Sequence, residues 1–245
     1  MILFSTSDLI NKDETMKNIT LFEKPRHKEI DEKFHQLTIG NVGNVLYWER
    51  FFEMAKNVPG DIVECGVGGG RSFLIIAALN HLLEKNEGGQ RTVYGYDSFE
   101  GFPEPTKEDE SPRHPKRGEW SCSPSGTYIY SPEFTRTVLA EAGIPRDALP
   151  IIKKGFFEQV LPAHPKKPIA LLHIDGDLYQ SYKATLENLF NLVSPRGIIV
   201  FDDFLAEPIG PDPFPGARKA VQEFFGRKIN KLRVSIAGKY YYVKR

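Results

Sequence analysis

The sequence predicts an α/β fold built on a doubly wound, mostly parallel sheet. Three observations carry that expectation. Short apolar runs alternate with longer amphipathic ones from residue 61 onward, a glycine-rich turn follows the first run, and acidic residues close two of the later ones. Strands are expected at residues 61–65, 92–96, 149–153, 169–174 and 197–201, where the runs are apolar enough for burial on both faces. Helices are expected at 72–83, 132–142, 181–192 and 217–225; in the last, Ala217, Ala220, Val221, Phe224 and Phe225 share one face. Two further runs, 232–236 and 240–243, flank Ala237 and Gly238 as a closing hairpin, which brings the strand count to seven.

Ahead of this pattern, residues 1–26 show no period. Residues 27–56 carry two amphipathic segments, with Leu46, Tyr47, Phe51, Phe52 and Ala55 at helical spacing before Pro59-Gly60 breaks the helix. The expected division is therefore an accessory arm with helices at 1–60 and a main domain at 61–245. Phe22, Phe34 and Leu37 give the arm apolar residues suited to covering a neighbour's site in a homo-oligomer. One stretch breaks the rhythm: five prolines, mixed charges, Trp120 and Cys122 lie between Phe99 and Ser131 without a period. A loop this long in a compact domain is commonly a lid, so 103–131 is expected to close over a substrate.

Composition narrows the function classes. Thirty-two basic residues cancel thirty-two acidic ones among 245, which removes the electrostatic argument for a nucleic-acid or anionic-membrane partner. Cys65 and Cys122 cannot form a disulfide framework or a multi-cysteine zinc site. No basic segment precedes an apolar core at the N-terminus, and the longest apolar runs fall well short of the roughly 20 residues that span a bilayer. A soluble cytoplasmic protein is expected.

Four clusters could carry chemistry. In the run from Asp61 to Ser72, Gly66, Gly68, Gly69 and Gly70 let the backbone turn tightly from strand into helix and approach a ligand closely. A dinucleotide fingerprint needs a third glycine where this chain has Arg71, and Glu64 inside the strand suits a ligand with a cationic end. Asp97, at the tip of the second strand and followed by Ser98, is placed to accept both hydroxyls of a ribose; the alternative is a turn-starting aspartate. Gly155 and Phe156, after the third strand, are positioned for an aromatic contact to a planar base, or for core packing.

The last cluster is the most informative. Asp175 and Asp177 follow the fourth strand, and Asp202 and Asp203 follow the fifth. Neighbouring strand ends lie about 4.8 Å apart, so these carboxylates converge where open α/β sheets bind ligands. Converging carboxylates repel unless protonated or neutralised, and an all-oxygen donor set favours Mg²⁺ or a similar hard cation. The alternative is helix capping and turn formation. His173 projects to the same side as Asp175, as a pocket residue or a satisfied core histidine.

Together these segments resemble the macrocin O-methyltransferase family. The resemblance rests on Val63 to Val67, Tyr96 to Pro103, Ile174 to Tyr179, Asp202-Asp203 and Pro215 to Val221, and spans roughly residue 45 onward. It implies a Rossmann-like seven-stranded methyltransferase fold with a reversed last strand, using S-adenosylmethionine and Mg²⁺ to methylate sugar hydroxyls, best known from antibiotic biosynthesis. Carried over residue by residue, it implies Asp175, Asp202 and Asp203 as metal ligands and Asp175 or Asp177 as base. Glu64 and Gly66 would contact the methionine portion, and Asp97 the ribose; Gly68, Ser72, Ser98, Gly155 and Phe156 complete the expected cofactor site. Where family members often carry Trp-Arg after the valine of the turn, this chain has Gly68-Gly69. Two rivals use the same sheet: an NAD(P)-dependent oxidoreductase, which Arg71 and the acidic cluster oppose, and a non-catalytic nucleotide- or metabolite-binding module.

Overall fold

A computed structural model describes residues 39–87, 91–206 and 210–245. The segment 1–38, with Phe22, Phe34 and Leu37 and the first of the two amphipathic segments, lies outside the described residues. Along the chain the elements are α1 (Ile39–Ala55), β1 (Asp61–Cys65), α2 (Arg71–Glu87), β2 (Val93–Asp97), α3 (Pro132–Glu141), β3 (Ile151–Lys154) and α4 (Phe157–Val160). There follow β4 (Ile169–Ile174), α5 (Tyr179–Leu189), β5 (Val193–Phe201), α6 (Pro215–Phe225), β6 (Arg233–Val234) and β7 (Tyr240–Val243).

The strands form one seven-stranded sheet in the order β3-β2-β1-β4-β5-β7-β6. β1 through β5 are parallel, and β7 runs antiparallel to both β5 and β6. The alternation of side chains along each strand sorts residues into two cores. Ile62, Leu171, Ile198 and Val200 pack with Tyr47, Trp48 and Phe51 of α1, Phe73 and Ile76 of α2 and Leu139 of α3. Val63, Cys65, Leu172, Ile174, Ile199 and Phe201 pack on the other face with Phe157 of α4, Tyr182 and Leu186 of α5 and Val221 of α6. α1 thus belongs to the same core as the sheet although it precedes residue 61. Among the described residues, no helix is long and apolar enough to cross a membrane.

Three elements differ from expectation. β5 starts at Val193 rather than 197, because the strand bulges through Pro195 and Arg196: Arg196 takes a φ of 69°, and the register with β4 shifts between Ile169 and Leu171. β6 is only two residues long, since Ser235–Lys239 are used to form the turn into β7, leaving Ile236 81% exposed. The one-turn helix α4 is too short to leave a periodic signal.

Strand order reverses at β1, whose neighbours β2 and β4 lead to opposite sides, so a crevice opens above the carboxyl ends of these strands. The proline-rich loop flanks it in two pieces. Its first piece carries a 3-10 turn at Lys107–Asp109. Asp109, buried there, accepts the Tyr179 N–H at 2.7 Å and the Thr106 N–H at 2.8 Å, tying the loop to the start of α5. Gly216 is required opposite it, because a Cβ there would collide with the Asp109 carboxylate. The second piece is a small hairpin, with Cys122 bridged to Ile129, that leans Tyr130 against Gly69.

Candidate active site

β1 ends at Cys65, and Gly66 turns the chain with a φ of 105°. Any Cβ at Gly66 would run into the Asp175 carbonyl, so glycine is what lets the first and fourth strand ends approach. Gly68 and Gly70, with φ of 50° and 83°, complete the turn into α2. Asp97 braces this turn: Oδ2 accepts the N–H groups of Val67 (2.9 Å) and Gly68 (2.8 Å), and Oδ1 accepts that of Phe99 (2.6 Å). Burial raises the Asp97 pKa, and the three amide donors oppose the rise. Ser98 donates to the Gly101 carbonyl at 2.7 Å and lines the cavity with Phe156, while Gly155 (φ 145°) turns β3 away from the Asp97 carbonyl it bonds.

Behind the turn, Glu64 is fully buried. Its Oε1 accepts from Ser72 Oγ at 2.5 Å and lies 2.8 Å from His173 Nδ1, while Oε2 has no hydrogen-bond partner among the described residues. Strand register explains the pairing: Glu64 sits beside His173, which sits beside Val200, and Asp202 follows two residues later on the same face. His173 Nε2 lies 3.6 Å from Asp202 Oδ1, an ion-pair rather than a hydrogen-bond distance. Burial acts to lower the imidazole pKa, but Asp202 and Glu64 outweigh it and raise the value to about 9. Trp48 packs edge-on to this ring at 4.7 Å. Of the two readings of His173 the buried one holds: the ring is 1% exposed, partnered by Glu64, and is not among the residues that line the crevice.

The four aspartates do converge. Asp175, Asp177 and Asp203 bring carboxylate oxygens within 4.8 Å of one another, and His173, Asp175 and Asp202 form a second, overlapping group of that size. Asp202 is the compensated member: Lys239 Nζ donates to its Oδ2 at 2.6 Å, and although burial acts to raise its pKa, His173 and Lys239 bring it to about 2. Asp203 accepts the Asp177 N–H at 2.9 Å and lies 3.0 Å from the Tyr182 hydroxyl; burial and Asp202 push its pKa to about 6. Burial and the neighbouring carboxylates also hold Asp175 and Asp177 well above the usual carboxylate range. Neither caps α5, because Leu178 takes the N-cap position and Asp109 receives the first free amide. A hard cation fits this donor set: half-buried oxygens, mutual repulsion, and three carboxylates that Lys239 and His173 leave without an ion-pair partner among the described residues.

Most of these groups line one cavity of about 750 Å³, whereas Glu64 and His173 are buried and are not among its lining residues. Gly66 to Ser72, Asp97, Ser98, Phe156 and Phe157 line it together with Asp175, Asp177, Asp202 and Asp203, and with Phe102, Trp120 and Phe214. Sequence reasoning missed Lys239 and Asp109. Neither lies in a motif, and only the alternation of charge and proline around Asp109 marked its loop at all.

A sheet of this order with only β7 reversed, a glycine turn after β1 and an acid closing β2 define a Rossmann-like methyltransferase fold. The chain belongs to the macrocin-O-methyltransferase (TylF) family, whose model matches residues 51–237. It is 31% identical over 174 residues to the 8-demethyl-8-(2,3-dimethoxy-alpha-L-rhamnosyl)-tetracenomycin-C 4'-O-methyltransferase of Streptomyces olivaceus, covering 71% of this chain and 61% of that one. To the mycinamicin III 3''-O-methyltransferase of Micromonospora griseorubida it is 29% identical over 177 residues, covering 71% and 63%. The chain thus spans about three fifths of the length of the curated relatives it matches. Among solved structures, the O-methyltransferase NovP superposes with a TM-score of 0.62 at 26% identity, covering 85% of this chain and 81% of that one. The calicheamicin methyltransferase CalS11 shares the fold, with a TM-score of 0.70 at 23% identity over 84% of this chain and 80% of that one.

Proposed function

We propose that the protein is a cytoplasmic, S-adenosylmethionine- and Mg²⁺-dependent O-methyltransferase that methylates a hydroxyl of a sugar-containing small molecule. Its candidate catalytic residues lie in 61–245, with 1–60 as an accessory segment whose helix α1 packs into the core of the sheet. The observation that carries this reading is continuity: a single cavity joins the glycine turn and Asp97 to the four aspartates. The sugar O-methyltransferases named above support the choice of acceptor.

When bound, S-adenosylmethionine supplies an electrophilic methyl group and Mg²⁺ supplies charge that makes a nearby hydroxyl more acidic. The chain supplies the rest. Glu64 keeps Oε2 free for the cationic end of the methionine portion, and the lone pairs of Asp97 left by its three amide donors suit a ribose. Asp175, Asp202 and Asp203 would hold the metal, which leaves Asp177 to take the proton from the acceptor hydroxyl. Its raised proton affinity suits a base working near neutral pH. Phe102, Trp120 and Phe214 wall the same cavity, shield the acceptor from water and offer flat apolar faces to a sugar ring.

Calorimetry with S-adenosylhomocysteine and with NAD, each with and without Mg²⁺, tests the class. Homocysteine-product binding without NAD binding is expected, and the reverse would sink the reading in favour of an oxidoreductase. Labelled-methyl transfer to a rhamnosyl acceptor, compared with a catechol, then tests the acceptor; transfer to the catechol alone would refute the sugar assignment.

A further inference from the structure

The C-terminal hairpin delivers a cation into the cavity that the aspartates line. Ser235 and Lys239 close the β6–β7 turn, with Ser235 N–H donating to the Lys239 carbonyl at 2.8 Å and Lys239 N–H to Ser235 Oγ at 3.1 Å. So held, the Lys239 ammonium donates to Asp202 Oδ2 at 2.6 Å and to the Asp202 carbonyl at 3.1 Å. His173 stands on the other carboxylate oxygen. Both oxygens of Asp202 are thus already turned toward cationic or donor groups, whereas the contacts of Asp203 are an amide and a hydroxyl. Lys239 also lines the same cavity as Asp175 and Asp203, so its charge stands in the cavity where a divalent ion would be held.

We infer that Lys239 is a tethered counter-cation of the aspartate cluster, standing on Asp202 when no metal is bound and competing with a divalent cation for that carboxylate. The inference rests on the metal reading above. An ammonium and a divalent ion held on one carboxylate repel each other, so Lys239 on Oδ2 disfavours ligation by Asp202. The same residue has two effects. It keeps Asp202 oriented and neutralised in the metal-free protein, and it weakens metal binding so that the ion exchanges readily.

The test is Mn²⁺ binding to the chelator-stripped full chain, followed by electron paramagnetic resonance, together with thermal melts. Lys239→Met should bind Mn²⁺ about tenfold more tightly than the unaltered protein, the scale of one charge–charge contact at a partly exposed site. Lys239→Arg, which keeps the charge, should bind as the unaltered protein does. Metal-free Lys239→Met should melt lower, yet gain more in melting temperature when Mn²⁺ is added. Lys239→Gln removes the charge while keeping donors, and carries the same test if the methionine variant fails to fold. Equal or weaker Mn²⁺ binding by the uncharged variants would overturn the inference and reduce Lys239 to a hairpin tie. Absence of Mn²⁺ binding in every variant, with S-adenosylhomocysteine still bound, would instead remove the metal reading and the competition with it.

Discussion

Glu64 and His173 share a 2.8 Å contact between Oε1 and Nδ1 at a depth where the carboxylate is wholly buried and the imidazole is 1% exposed. The pair links the turn after β1 to the aspartates after β5, because Ser72 holds one side of Glu64 and Asp202 stands beyond His173. Removing one partner leaves a charge in the core without its counterpart. His173→Ala should therefore cost roughly 3–5 kcal/mol. Glu64→Leu with His173→Leu should recover much of that loss. Urea unfolding of the two variants measures both; a loss below about 1 kcal/mol for His173→Ala would show that the pair carries little.

Asp177 sits in a left-handed conformation with a φ of 57°, its amide fixed by Asp203. If it takes the acceptor proton, Asp177→Asn should lower kcat by about a hundredfold or more. Affinity for S-adenosylhomocysteine, whose proposed contacts are the glycine turn and Asp97 rather than Asp177, should stay within about twofold. Steady-state kinetics paired with calorimetry reads the split, and unchanged kcat would remove Asp177 from the chemistry.

Asp109 and Gly216 form a lock where the proline-rich loop meets the starts of α5 and α6. Asp109→Ala strands the Tyr179 and Thr106 amides, at about 1–3 kcal/mol. Gly216→Ala drives a methyl group into the same carboxylate and should cost a comparable amount. With the carboxylate gone the collision is relieved, so the double variant should lose clearly less than the sum of the singles. A strictly additive result in denaturant melts would mean the two residues act apart.

His164 gives the fold a pH dependence far from the aspartates. Burial pushes its pKa below the ordinary 6.5, with Lys166 adding to the fall and Asp61 opposing it. Its Nδ1 lies 2.6 Å from the Tyr96 hydroxyl, and Nε2 is buried without a hydrogen-bond partner among the described residues. Because the unfolded chain binds the proton more readily, the contribution of His164 is present above about pH 6.5 and is lost as pH falls below it. Urea midpoints at pH 7 and pH 5 should differ more for the unaltered protein than for His164→Gln; equal differences would place the titration elsewhere.

The centre of the sheet is legible in the sequence because burial on both faces leaves only one kind of residue: all six positions of β4 are buried. The glycine turn is legible because close backbone approach admits no other residue at Gly66. The aspartates are legible as acids at strand ends, but the split between them is not. Asp202 and Asp203 are neighbours in sequence, yet one turns to Lys239 and His173 and the other to Tyr182 and the Asp177 amide. Lys239 lies 37 residues from Asp202 and Asp109 lies 70 from Tyr179, so each role exists only once the chain has folded back. Local periodicity carries no record of such contacts. The packing of α1 is hidden for the same reason, since helical spacing marks Tyr47 and Phe51 as apolar without revealing that Trp48 meets His173.

The place of β7 has a consequence for synthesis. This strand follows β6 in the chain but lies inside it in the sheet, against β5. A nascent chain whose first five strands had already paired would carry its acids gathered, beside an open strand edge and without the lysine that compensates them. Until residues 240–243 emerge and pair, that edge is free to take up a stray strand, and this half-made stage is where a chaperone has the most to protect.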